Sequence, residues 1–236
     1  MADSKGCHDI VAANKPITES DGDLCRSLSE TRLATEPTTP QVHQPAIDQK
    51  HLENLCRQLL LAIGEDPTRD GLVDTPRRWA NWWREFITYD PGNTGTTFEA
   101  VEADQMIVVS GMHVTSLCEH HLLPFWCDVS IGYIPAQADP RVLGLSKFAR
   151  VAHQFSHRLQ LQERLAQQIA DEITILTGSP DVAVLASGRH LCMEMRGIKT
   201  PGLMTSSVMR GSFRSSAAAR QEFLSMAQRN ENSRHS

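Results

Sequence analysis

The side chains best able to do chemistry stand in two clusters, Cys118-Glu119-His120-His121 and, far downstream, His190-Leu191-Cys192. Cys118 and His121 are three apart, so one helical turn or a tight loop brings a thiolate and an imidazole together. His190 and Cys192 are two apart, a spacing that points both side chains to one face of a strand. Two sulfurs with one or two imidazoles form a donor set that prefers zinc. Structural zinc sites close with four protein ligands, whereas catalytic ones hold three and keep a position for water. Cys118, His121 and Cys192 make three, and water held at such a site has its pKa drawn towards about 7. His120 and His190 would then flank the metal as proton donors and acceptors working near neutral pH. The spacing leaves a closed alternative open, in which His120, His190 or Cys127 is a fourth ligand and the metal is a staple. Each half also has a plain reading as core filling, since Cys is among the most buried residue types.

A second set of residues suits an anion. Gly144-Leu145-Ser146-Lys147 is followed by Arg150 one turn later. With Ser146 as a helix cap, free backbone N–H groups, Lys147 and Arg150 converge into a phosphate cradle. Arg196, on the expected metal-bearing strand, adds a third cation near the metal. Thr75-Pro76 opens a helix with Thr as cap and Pro at the first helical position. Arg77 and Arg78 fall in its first turn, where a cation opposes the helix dipole; anion binding and plain solvation both fit that placement. Glu163, in Gln162-Glu163-Arg164, reads as a surface helix residue or as a base reader. A fixed carboxylate accepts two hydrogen bonds from the N1–H and 2-amino group of guanine, which adenine lacks.

The elements that must position these groups follow from periodicity. Residues 1–46 are polar and Pro-rich, without a sustained apolar period, and their composition predicts disorder. Order is expected from Asp48. Leu52, Leu55, Cys56, Leu59, Leu60 and Ile63 describe a helix burying one face and stopped by Gly64. Trp79, Trp82, Trp83 and Phe86 form an aromatic stripe suited to core or a subunit interface. Strand-like runs begin near Gln105: Met106–Val109, Met112–Val114 and the alternation Val129, Ile131, Tyr133. Two helices follow, marked by Phe148, Val151, Ala152 and Phe155, then by Leu165, Ile169, Ile173 and Leu176, ending at Gly178. Val182, Val184 and Ala186, a Ser187-Gly188 turn and a strand from His190 to Arg196 read as a hairpin. On that strand Leu191, Met193 and Met195 share one face and His190, Cys192, Glu194 and Arg196 the other. A strand around Ser206–Phe213 and a short helix from about Ser216 complete an α+β domain.

Composition narrows the function class. A chain of 236 residues holds one sizeable domain or a domain with a tail. The formal charge of -5 argues against general nucleic-acid binding, so any anion must be met by a local cluster of Lys and Arg. No apolar stretch approaches a membrane span and the N-terminus lacks the apolar core of a signal peptide. Six cysteines in this length do not suggest a disulfide framework; reducing cytoplasm is the expected compartment.

Six ordered motifs then point to a family. Cys118-Glu-His-His121-Leu-Leu-Pro-Phe125, Gly132-Tyr-Ile-Pro135, Gly144-Leu-Ser-Lys147, Gln162-Glu-Arg-Leu165, His190-Leu-Cys192-Met-Glu-Met-Arg-Gly197 and Arg210-Gly211 strongly resemble the zinc-dependent GTP cyclohydrolase I family. The resemblance runs from about residue 48 to Leu224. It implies a tunnelling fold: an antiparallel four-stranded sheet with helices on one face, preceded by an N-terminal helical portion. The implied organisation is a catalytic domain over 47–230 (helical portion 47–100, tunnelling fold 101–230) and a flexible C-terminus over 231–236. Subunits are expected to form a decamer of two pentameric rings, with active sites at subunit boundaries. By resemblance, one Zn2+ per subunit falls to Cys118, His121 and Cys192. Guanine falls to Glu163 helped by Gln162, and triphosphate to Ser146, Lys147, Arg150, Arg196 and Arg78. Proton transfer falls to His120 and His190. The implied reaction is hydrolysis of GTP at purine C8, formate release, ribose rearrangement and closure to 7,8-dihydroneopterin triphosphate. Competing expectations are a relative that uses another guanine nucleotide or stops before ring closure, and a non-catalytic zinc-stabilised assembly. The chain departs from the family after Phe125, where members commonly carry Gly and a basic residue in place of Cys127 and Asp128, and often His for Ser130. A glycine position with positive φ would disfavour Cys.

Overall fold

A computed structural model of the chain describes residues 46–100 and 104–233. The segment expected to be disordered lies outside the described residues except for Ala46, as do the last three residues. Helix α1 (Gln49–Ala62) starts where the Asp48 carboxylate accepts a hydrogen bond from the His51 N–H at 2.9 Å, satisfying one of the free donors of a helix start. Its buried face is narrower than the apolar pattern predicts: Cys56 and Leu60 are buried, while Leu55, Leu59 and Ile63 are exposed. The reason is that α1 packs mainly on α2 (Thr75–Ile87), and a single helix covers only one strip of its surface. Asp74, rather than Thr75, takes the cap position of α2, with Pro76 in the first turn. Its carboxylate pairs with Arg78 at 3.3 Å and Arg77 at 3.4 Å, so the two cations in that turn are answered locally.

Strands β1 (Thr97–Glu99), β2 (Ile107–Cys118), β3 (Pro124–Tyr133) and β4 (Arg141–Leu143) follow. The two runs expected before Cys118 are one strand, bent by a bulge between Val109 and Met112 where Gly111 adopts φ 69°. Helix α3 (Leu145–Ser156), strand β5 (Leu159–Gln160), helix α4 (Gln162–Thr177) and strand β6 (Val182–His190) come next. The short helix α5 (Leu191–Glu194), strand β7 (Met204–Met209), the short helix α6 (Ser212–Ser215) and helix α7 (Ala217–Ser233) complete the order. The main sheet runs β5-β2-β3-β6-β7. Its β2-β3-β6-β7 part is the expected antiparallel four-stranded sheet, and β5 adds a two-residue parallel edge. β1 and β4 pair separately.

Helices α3 and α4 cover one face of this sheet, Phe148, Val151, Leu165, Ile169 and Ile173 packing with Val129, Ile131, Val182 and Val184. The alternate residues of β6, Ala183 and Leu185, pack on the second face against Phe213, Phe223 and Ala227. Helices therefore lie on both faces, not on one, and the C-terminal helix is longer than the short one expected.

The sharpest correction concerns Ser187-Gly188, which is not a turn. β6 runs unbroken to His190, and Gly188 lies opposite Cys127 in the β3–β6 ladder. A Cβ on Gly188 would stand 2.3 Å from the Trp126 carbonyl oxygen and 2.5 Å from the Cys127 Cβ, so this glycine permits close approach of two strands. The chain then coils into α5, and the alternating strand expected from His190 to Arg196 does not form. No helix among the described residues is long and apolar enough to cross a membrane.

Candidate active site

Cys118 ends β2, and the chain turns back at once into β3. His121 and Leu122 donate their N–H groups to the Cys118 carbonyl at 3.3 and 2.8 Å, and Leu122 takes φ 55°. That turn folds His121 back over Cys118, while α5 carries Cys192 in from the end of β6. The ligand atoms of Cys118, His121 and Cys192 lie within 4.8 Å of one another. Cys118 Sγ is 3.8 Å from His121 Nδ1, close to the edge of about 3.6 Å that tetrahedral zinc bonds to S and N would span. Burial and the neighbouring Cys118 both raise the pKa of the Cys192 thiol, a pairing that a divalent cation relieves. The donor set and its spacing fit zinc.

The candidates for a fourth ligand stand outside this group. Cys127 is buried opposite Gly188, and burial, reinforced by Asp128, pushes its thiol up to about 12, so it stays protonated and acts as core. Its backbone is ordinary strand without a positive φ, so the position accepts a side chain, and Gly188 lies opposite it. His120 is exposed, its ring 6.2 Å from that of His121. His190 stacks on Phe125 with ring centroids 4.6 Å apart and points Nε2 at Gln162.

The first turn of α4 organises both clusters. Gln162 is 1% exposed; its amide donates to the carbonyls of Ala186 and Met204, each at 3.0 Å, and its Oε1 lies 3.0 Å from His190 Nε2. Glu163 follows, exposed, near enough for its charge to act on His190. Burial lowers the His190 pKa, and the negative charges of Glu163 and Glu194 partly offset this. Arg164 then grips the Glu119 carboxylate through two nitrogens at 2.5 and 3.0 Å, holding that carboxyl below its usual range. Sequence reasoning missed this clamp on the metal turn. Its signal was present: opposite charges inside two chemistry-bearing motifs.

Arg196 approaches the metal group as expected, its Nη1 2.7 Å from His121 Nε2. Neutral imidazole has one lone pair. A metal held by the His121 imidazole through Nδ1 would leave the proton on Nε2, where it would face another donor, and would free the guanidinium. Ser146, Lys147 and Arg150 are placed differently. Gly144, not Ser146, is the cap of α3, and Ser146 makes no capping bond. Lys147 donates to the Asn93 carbonyl at 2.6 Å and Arg150 to that of Pro91. The start of α3 is tied to Tyr133, whose hydroxyl accepts from Leu143 N–H at 2.8 Å, whereas His190 pairs with Phe125 at the other end of β3. These ends are separated by about 26 Å at the usual strand rise. The expected convergence of Lys147 and Arg150 with Arg196 does not occur within one chain.

A family model for GTP cyclohydrolase I matches residues 52–228. The chain is 45% identical over 177 residues to GTP cyclohydrolase 1 of Hyperthermus butylicus, covering 75% of this chain and 89% of that one. It is 46% identical over 184 residues to the Deinococcus radiodurans protein of the same name, covering 75% and 83%. Against that of Mycobacterium ulcerans it is 43% identical over 203 residues, covering 84% and 98%. The chain belongs to the GTP cyclohydrolase I family. Membership covers Cys118, His121, Cys192, His190 and the first turn of α4 alike, since all lie within the matched residues. Like its relatives, the chain is an enzyme.

Proposed function

We propose that this enzyme hydrolyses GTP at purine C8, releases formate, rearranges the ribose and closes the ring to 7,8-dihydroneopterin triphosphate, opening a pterin or tetrahydrofolate route. The single observation that carries the reading is the meeting of Cys118, His121 and Cys192 beside His190 and Glu163. Zinc, when bound by these three residues, supplies Lewis acidity and an activated water. Glu163 accepts from the N1–H and 2-amino group of guanine and so orients C8. His190 delivers a proton to N7 as the imidazole ring opens, and His120 serves the ribose ring oxygen.

Triphosphate is held by Arg196 with Ser146, Lys147, Arg150 and Arg78, anchoring the substrate far from the reacting carbon. Because Lys147 and Arg150 start at the opposite end of the sheet, they serve a neighbouring subunit's metal group. This supports active sites at subunit boundaries; the decamer of two pentameric rings rests on the family resemblance. The test is direct. Purified protein loaded with zinc and given GTP should yield formate and, after oxidation, a fluorescent pterin; formate without pterin would assign a reaction that stops early, and neither product would refute the reading.

A further inference from the structure

The side-chain amide of Gln162 has one orientation that satisfies its neighbours. One end faces the carbonyl oxygens of Ala186 and Met204 at 3.0 Å each, with the Ser206 hydroxyl at 3.3 Å. Carbonyl oxygens only accept, so that end is the NH2 group. The other end is then Oε1, also an acceptor, and it lies 3.0 Å from His190 Nε2. An acceptor facing a ring nitrogen requires the proton on that nitrogen. The reverse orientation would set an amide oxygen against two carbonyls in a site from which water is excluded, and each unpaired buried group is costly. Stacking flat on Phe125 with an interplanar angle of 5° holds the plane of the imidazole.

We propose that Gln162 is a positioning residue: it fixes His190 with its proton on Nε2, so that Nδ1 alone meets the substrate. His190 then works through one nitrogen. Nδ1 takes a proton released as water adds to C8 and passes it to N7, while Nε2–H stays on Gln162 throughout. This gives Gln162 a different job from contact with the guanine ring, since both ends of its amide are engaged inside the chain. The inference rests on the GTP reading for the identity of the substrate, whereas the position of the proton does not.

The test separates the two. In zinc-loaded protein labelled with 15N-histidine, the His190 signals, assigned by their loss in His190→Asn, should show a protonated Nε2. A neutral ring with its proton on Nδ1 would overturn the proposal, whether or not GTP is the substrate. Gln162→Met keeps the length of the side chain and removes both hydrogen-bonding ends. It should mix the two tautomers and lower kcat about 10- to 100-fold, with the KM for GTP changed less than about threefold. A raised KM with unchanged kcat and tautomer would make Gln162 a guanine contact instead. If Gln162→Met does not fold, the wild-type spectrum alone decides.

Discussion

The metal group and the cation set are built on opposite plans. Cys118, His121 and Cys192 meet inside one chain, and the first turn of α4 holds His190 nearby through Gln162 and sets the charge of Glu163 against it. Lys147 and Arg150 sit at the far end of the same sheet and hydrogen-bond to the 91–93 backbone of their own chain. On the GTP reading, one half of the site would be complete on folding and the other would need a second surface opposite it. The difference teaches that separate motifs of one family can stand far apart within a single subunit.

The heaviest blow to the first half should come from Cys118→Ser or Cys192→Ser. Each should lose zinc and turnover together, because a hydroxyl replaces a thiolate poorly on this metal; metal analysis beside formate release is the check. Full zinc occupancy with normal turnover would dissolve the metal group. Next comes Glu163→Gln, where one acceptor oxygen becomes a donor facing guanine. Turnover of GTP should fall by up to about 10⁴-fold with zinc retained, since a base-reading polar group left unmatched in the complex discriminates strongly. His120→Ala and His190→Ala should likewise keep zinc and lose about 10²–10⁴-fold in kcat; a zinc-free variant would move that His among the ligands.

The second half is best sharpened by mixing. Lys147→Ala and Arg150→Ala should each raise the KM for GTP about tenfold, the value of a charge-assisted hydrogen bond. Assayed at GTP well below KM, equal amounts of Lys147→Ala and Cys118→Ser refolded together should reach about a quarter of wild-type activity, if metal and cations of one site come from different subunits of a symmetric ring, against about a twentieth if both come from one chain. No recovery in stably mixed oligomers would mean that the cations serve their own chain after all. The smallest effect belongs to Cys127→Gly, which should leave zinc and turnover unchanged and cost about 1–3 kcal/mol of stability. The pH dependence has a definite sign. The folded thiol titrates near 12 and the unfolded one near about 8.5, so the unfolded state loses its proton first. Stability is therefore held below the unfolded value and lost as pH rises between the two, a loss that Cys127→Gly should reduce in alkaline denaturation curves.

Much of this was legible in the residues. Cys118, His121 and Cys192 were visible as candidate ligands because softness and spacing are properties of sequence, and α4 was visible because Leu165, Ile169 and Ile173 repeat with a helical period. What stayed hidden depended on neighbours remote in the chain. Ser187-Gly188 carries a turn signal, yet Gly188 is there because Trp126 and Cys127 pass too close for a Cβ. The polar and apolar alternation after His190 fits a strand, but those residues leave the sheet and coil. Ser146 resembles a cap only until Gly144 is seen to occupy that position. No period in the sequence reveals that Gln162 points inwards while Glu163, its neighbour, points out.

The first turn of α4 has a consequence for how this site tolerates change. Gln162 and Arg164 grip two separate segments, the end of β6 and the turn after β2, from adjoining positions on one helix. Inserting a single residue within that turn would rotate one grip about 100° relative to the other. His190 and the Glu119 turn could not both be held. Variation in length is therefore barred within these three residues, and a lineage altering one anchor must inherit or rebuild both at once.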